Sequence, residues 1–192
     1  MKRGLRFLNV CSKLWVTVGL IVIVTASNHE AFAGTVKGQE AGTFVTANFT
    51  YDGASNAGLA TYKGDDNIGG PFTGQDLEEY SFTGGSCTAP DSSVGTVIVL
   101  VQATRNDTYK QGQLYSAGVG AADGTGCVSD TTGRVGATLT LSVTRGTGKF
   151  ANASGSLTTT ITAQVLAAPG SPPGSLGLFG ARQVTRTGSV TY

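Results

Sequence analysis

Glu78, Tyr80 and Phe82 fall at alternate positions of the segment Gln75–Phe82, so on a β-strand they share one face while Glu79 points the other way. A carboxylate and a phenol beside an aromatic ring are suited to acid–base or hydrogen-bonding chemistry in an apolar cavity. If Tyr80 and Phe82 face inward, Glu78 does too, and a buried carboxylate needs a partner. Two arginines stand where strands could supply one. Arg105 continues the Val97–Val99–Val101–Ala103 face, and Arg145 ends the Ala137–Leu139–Leu141–Val143 face. The plainer reading of the same four residues is a salt bridge at a rim, of little energetic weight.

Other chemistries have less to work with. The one histidine, His29, precedes residue 34, so the chain beyond has nothing for Ser-His-Asp or Cys-His catalysis or for a histidine-ligated metal. No cofactor is called for. Asp65, Asp66, Asn67, Asp76 and Glu79 offer oxygen ligands for calcium, but without the spacing of a calcium loop, and solvated turn residues are the preferred reading. Gly146-Thr-Gly-Lys-Phe-Ala151 fits the loose dinucleotide-binding pattern. A Ser/Thr-rich strand follows where a helix should begin, and no acidic residue occurs after Asp130 to hold a ribose, so nucleotide binding is set aside.

The first 33 residues read as a secretory signal peptide. Lys2, Arg3 and Arg6 form a basic start, Leu14 to Ala26 an apolar stretch, and Ala31-Phe32-Ala33 a small-x-small cleavage site between Ala33 and Gly34. The apolar run is too short to cross a bilayer, so residues 34–192 are expected as a single extracytoplasmic domain with no integral membrane segment. The leader holds four of the 13 basic residues and one of the 12 acidic ones, which leaves 9 and 11 and a net charge near −2. No basic patch survives, and no nucleic-acid partner is expected. Cys87 and Cys127 remain, and an even pair in an exported chain reads as a disulfide.

The elements that must position these groups are strands. Thr, Val, Ser and Gly dominate, and apolar residues recur with period two between turn-forming clusters. Eight are expected, over 43–51, 59–63, 75–82, 96–105, 109–117, 135–145, 156–166 and 183–192. The first should show Val45, Ala47, Phe49 and Tyr51 on one face. Gly64–Gly74 reads as a loop and Asn106-Asp107 as a turn. Ala167–Gly180, with three of the five prolines and an apolar Leu176-x-Leu178-Phe179 end, reads as a connector packed over a barrel mouth. The fold class is all-β: a closed antiparallel barrel of about eight strands, with a β-sandwich as the alternative.

The run from Leu141 to Ser156, LSVTRGTGKFANASGS, resembles the strand–GTG-[KR]-F-x-x-A-x-G–strand hairpin of the dirigent and allene oxide cyclase barrels. The resemblance spans about 16 residues. It implies an eight-stranded antiparallel barrel around an apolar ligand; the residues themselves let Lys149 to Ala153 make one short helical turn with Phe150 pointing inward as a plug. No active-site positions of those families carry over. Three functions stay open: a secreted or cell-surface barrel binding a small apolar ligand or serving an envelope role; a lumenal cyclase or isomerase using Glu78, Tyr80 and an arginine; and an interaction protein with a solid core. Oligomeric state is not legible.

Overall fold

The computed structural model describes residues 33–47, 55–166 and 179–192, and the alternation of the sequence becomes a continuous antiparallel sheet there. Its strands are β1 (Ala33–Ala47), β2 (Ser55–Asp66), β3 (Gly70–Thr88), β4 (Val94–Tyr109), β5 (Gly112–Val119), β6 (Gly124–Ser129), β7 (Arg134–Gly146), β8 (Ser154–Leu166) and β9 (Phe179–Thr191). Each pairs with its chain neighbour or across one step, and β1 pairs with β9, so the sheet closes into a barrel-like ring. The nine strands make eight staves. β5 lies against the second half of β4 and the end of β7, while β6 lies against the first half of β4 and the start of β7. The expected eight-stave ring is therefore present, with one stave split at Gly120–Asp123. Among the described residues closure leaves each strand with a partner on both sides. Among the described residues no helix is long and apolar enough to cross a membrane. Residues 1–32 of the expected signal peptide, residues 167–178 of the expected connector, and Phe49 and Tyr51 lie outside the described residues, while Phe179 and Gly180, expected as the connector's end, begin β9 and Ala33 begins β1.

Two β-bulges decide which side chains enter the ring. On β4 the register jumps between Glu79↔Gln102 and Tyr80↔Leu100, so Val101 is the extra residue. Ile98 and Leu100 point inward before it, and Ala103, Arg105, Asp107 and Tyr109 after it. The expected Val97–Val99–Val101 face is thus the outer one, and Arg105 enters because the bulge shifts the alternation by one. On β7 the jump falls between Tyr115↔Arg145 and Ser116↔Val143, which makes Thr144 the extra residue. Leu139 and Leu141 point inward, but beyond the bulge Arg145 is thrown to the surface.

Three local readings change as well. Val45 is exposed and Phe44 faces the lumen, continuing the inward series Val36, Gly38, Glu40, Gly42. The glycines there are needed for space. A Cβ on Gly42 would come within 2.7 Å of the Tyr62 side chain, and one on Gly38 within 2.6 Å of Asp66. Most of the supposed loop Gly64–Gly74 is strand, interrupted only by the hairpin Asn67–Gly69. Asn106 and Asp107 are not a turn, since β4 runs through them to Tyr109.

One end of the ring is filled. Val36, Tyr62, Ile68, Phe72, Tyr109, Leu114, Phe150, Ala153, Leu157 and Val190 form a buried cluster. Its rings run Tyr62–Phe72–Tyr109–Phe150–Tyr192 with centroids 6.3, 5.2, 4.9 and 4.9 Å apart. Phe150 sits on a single 3₁₀ turn, Gly148–Phe150, slightly ahead of the expected Lys149–Ala153, that Gly148 opens at φ 58°, and its ring is fully buried as the sequence predicts. Nearer the other end, Cys87 of β3 and Cys127 of β6 are joined in a disulfide across β4. It crosses at Gly95, where a Cβ would lie 3.0 Å from Cys127 Sγ.

Candidate ligand cavity and its ionised floor

At the end opposite Phe150, the ring encloses a cavity of about 100 Å³. Its walls are the inward residues of seven staves, among them Phe44, Phe82, Ile98, Val128, Ile161 and Val165. It is hollow because several inward positions there are small: Gly58, Ala60, Ala137 and Ala163. Its floor is different in kind: Asp76, Glu78, Tyr80 and Arg182.

Alternation builds this floor. On β3, Asp76, Glu78 and Tyr80 follow one another on the inner face, and on β9 Arg182, Val184 and Arg186 do the same. Arg182 grips Asp76 with both terminal nitrogens, Nη1 donating to Oδ1 at 3.1 Å and Nη2 to Oδ2. Nη1 also reaches Glu78 Oε1 at 3.3 Å, and Tyr80 donates its hydroxyl to Glu78 Oε2 at 2.9 Å.

Below the floor the ion pairs continue. Arg105 donates to Glu40, Nη1 to Oε1 at 3.0 Å and Nη2 to Oε2, while its Nε reaches Asp107 Oδ1 at 3.0 Å. Arg186 Nη1 donates to Asp107 Oδ2 at 2.9 Å and lies 3.4 Å from Asp66 Oδ2. Tyr62 donates to Asp107 Oδ1 at 2.8 Å and Tyr109 to Asp66 Oδ2 at 2.6 Å. The Tyr62 ring also meets the guanidinium groups of Arg105 and Arg182, at 4.4 and 4.9 Å from its centroid. Each arginine thus combines carboxylates with an aromatic face, which suits its planar, weakly hydrated charge.

The environment sets protonation. Burial and the neighbouring Glu78 raise the Asp76 carboxyl to about 7, against the opposing pull of Arg182. Burial also disfavours the charge on Asp107, but Arg105 and Arg186 outweigh it and hold that carboxyl below its usual range. Tyr80 is pushed far up by burial and then by Glu78, and burial raises Tyr62 and Tyr109 as well, so all three phenols are neutral donors.

The four residues singled out from the sequence therefore divide. Glu78 and Tyr80 are hydrogen-bonded to each other on the cavity floor. Arg105 is buried in the lumen, but its partners are Glu40 and Asp107 rather than Glu78. Arg145 is on the outer surface, stacked over Tyr115 at 4.1 Å from the ring centroid, and has no place in the site. The acidic residues proposed for a turn separate too. Asp66 and Asp76 are buried ion-pair partners, while Asp65 is exposed. Among the described residues no group of three metal-ligating side chains forms.

Sequence reasoning missed Arg182, Asp76 as an inner residue, and the deeper set Glu40, Asp66, Asp107 and Arg186. A signal for them was present. Asp76-x-Glu78-x-Tyr80 and Arg105-x-Asp107-x-Tyr109 share one period-two pattern of two charges followed by tyrosine, and Arg182-x-Val184-x-Arg186 matches it in spacing.

No protein-family model matches the chain, and no curated protein matches it. Among solved structures, a pyocyanin demethylase is similar at 14% identity with a TM-score of 0.37, covering 81% of this chain and 99% of its own. A likeness that slight carries no argument here.

Proposed function

We propose that this chain is an exported barrel that holds a small, largely apolar molecule in its open end, seated on the Asp76–Glu78–Tyr80–Arg182 floor. The observation that carries this reading is the cavity itself: apolar walls around a few convergent polar groups are the usual make-up of a ligand site. At about 100 Å³ it is smaller than the ~150 Å³ apolar void that admits benzene, so a single ring reaching toward the mouth is the size it suits. That hollow sets ligand binding above a solid-core interaction protein. Export between Ala33 and Gly34 and kinship with the dirigent and allene oxide cyclase barrels belong to the same proposal. The Cys87–Cys127 bridge supports the first, since such bonds persist in oxidising compartments. The buried Phe150 hairpin supports the second.

Toluene titration followed by NMR tests the cavity. Shifts confined to residues lining it, and lost in Ala137→Phe, are expected; no shifts at saturating toluene sinks the reading.

A second reading, a lumenal cyclase or isomerase, is favoured by one observation. Asp76 titrates near 7 beside a hydrogen-bonded Glu78–Tyr80 pair, which suits proton transfer at neutral pH. Turnover of a bound compound that Glu78→Gln abolishes, with binding retained, would select it.

A further inference from the structure

The lumen is charge-imbalanced, and the imbalance reaches the cavity. Five carboxylates stand inside the ring, Glu40, Asp66, Asp76, Glu78 and Asp107, against three guanidinium groups, those of Arg105, Arg182 and Arg186. Fully ionised, this interior carries −2, the same as the net charge of residues 34–192 taken together. A buried surplus of one sign is costly unless a proton or a counter-ion relieves it. Below the floor, Arg105 and Arg186 face Glu40, Asp66 and Asp107. At the floor, Arg182 alone serves Asp76 and Glu78. One negative charge is therefore left over on the floor itself.

Glu78 is the group a ligand can reach. Its side chain is 13% exposed, the most of the five, and the other four are 3% or less. Each oxygen of a carboxylate accepts two hydrogen bonds. Glu78 receives one long contact from Arg182 at Oε1 and one from Tyr80 at Oε2, so acceptor capacity remains on both. Arg182 has both terminal nitrogens on carboxylates, and only its Nε lacks a partner within the protein. An anionic ligand would add to the surplus and find that single donor. A cation would find acceptors and cancel the charge.

We infer that the molecule this cavity takes is a cation: a single apolar ring bearing a protonated amine, its ammonium on Glu78 and its ring against Phe44, Phe82, Ile98 and Ile161. This deepens the ligand-binding reading and rests on it. It also links binding to protons. In the unliganded barrel the surplus is relieved by a proton on Asp76, which holds it up to about 7. The charged and titratable groups around Asp76 are Arg182 on β9, Glu78 and Tyr80 on its own strand, Glu40 on β1, Tyr62 on β2 and Arg105 on β4. An arriving ammonium replaces the proton. Binding then releases a proton on the acid side and tightens as pH rises toward neutrality.

Calorimetric titration of the purified protein with benzylamine, benzyl alcohol, toluene and benzoate tests this. Benzylamine should bind at least about tenfold more tightly than benzyl alcohol near pH 8, and benzoate least. Its affinity should fall about tenfold by pH 5 while toluene's stays constant. Buffers of different ionisation heat should register proton release with benzylamine alone. Glu78→Gln should bring benzylamine down to the level of benzyl alcohol. Benzyl alcohol or benzoate binding as well as the amine, or benzylamine affinity independent of pH, overturns the inference while toluene binding keeps the cavity reading alive. Failure of toluene as well overturns both. The pH dependence is read on the unsubstituted protein, so the test stands even if Glu78→Gln does not fold.

Discussion

The plugged end and the cavity end of this barrel follow the same inward alternation and differ in side-chain size. At the plugged end the inner Phe72, Tyr109 and Phe150 meet in a continuous aromatic stack, with Leu157 in the same buried cluster. At the cavity end the inner positions include Gly58, Ala60, Ala137 and Ala163, which leave a hollow between the larger residues. Between the two lies a belt of ion pairs. The comparison teaches a division of labour: the plug and belt fix the ring, and the hollow above them has room to hold something. Interiors pack like crystals, so a hollow lined by small residues is a built feature of that end.

The sharpest way to break this division is at the belt. Arg186→Met removes the cation shared by Asp66 and Asp107, leaving Asp66 without a cation and Asp107 with Arg105 alone, which should cost about 3–5 kcal/mol in urea unfolding. Phe150→Ala should cost a similar ~3–5 kcal/mol because nothing can collapse into the stack. Phe82→Ala at the mouth should cost well under half of that and enlarge the space for toluene. Equal losses for the two phenylalanines would end the claim that the ends differ.

Next in size is the disulfide. Replacing Cys87 and Cys127 with alanine should destabilise by about 4 kcal/mol or somewhat less, the chain-entropy value for a loop of this length. The expected readout is a lower urea midpoint with toluene shifts unchanged, since neither cysteine lines the cavity.

The belt also sets a pH profile with a definite sign. In the folded barrel Asp76 holds its proton up to about 7, far above the unfolded carboxyl. Between those limits the folded state binds the extra proton, so stability falls as pH rises through that window and levels off above about 7. Asp107 acts oppositely, because its lowered carboxyl contributes stability that is lost only when pH drops through the folded value. The melting temperature should therefore decline from about pH 5 to about pH 8, and Asp76→Asn should flatten that decline. A melting temperature that rises across the range refutes the protonation of Asp76.

How much of this could be read from the chain follows from what alternation encodes. The Ala137–Val143 and Glu78–Phe82 faces were legible because apolar or aromatic residues mark them against Thr or charged neighbours. Strand β6 was not, since GTGCVS is short and glycine-rich. The belt was hidden for a different reason. Asp, Asn and Gly ordinarily mark turns, but Asp66 and Asp107 are ion-pair partners in the lumen, and Gly38 and Gly42 make room for side chains of neighbouring strands. Charges at period two normally belong to the wet face of a strand. Here threonines take that face, as at Thr138, Thr140, Thr185 and Thr187, and the charges go inside.

The smallest expected effect makes the same point about bulges. From the sequence Arg105 and Arg145 are equivalent, each continuing an apolar face by two residues. One extra residue at Val101 brings the first into the belt, and one at Thr144 turns the second out onto Tyr115. Arg105→Met should thus cost about 3–5 kcal/mol, for it strips Glu40 and Asp107 of a shared cation. Arg145→Ala should change stability by no more than about 0.5–1 kcal/mol, the worth of an exposed cation–π contact, and should leave amine and toluene binding untouched. Deleting Thr144 pushes the comparison further. It removes the extra residue and sets position 145 directly after Val143, where regular alternation and the pairing with Tyr115 keep it on the outer face. Arg145→Ala should therefore be as mild in the deletion variant as in the parent chain. A much larger loss there would mean the bulge does more than aim a side chain.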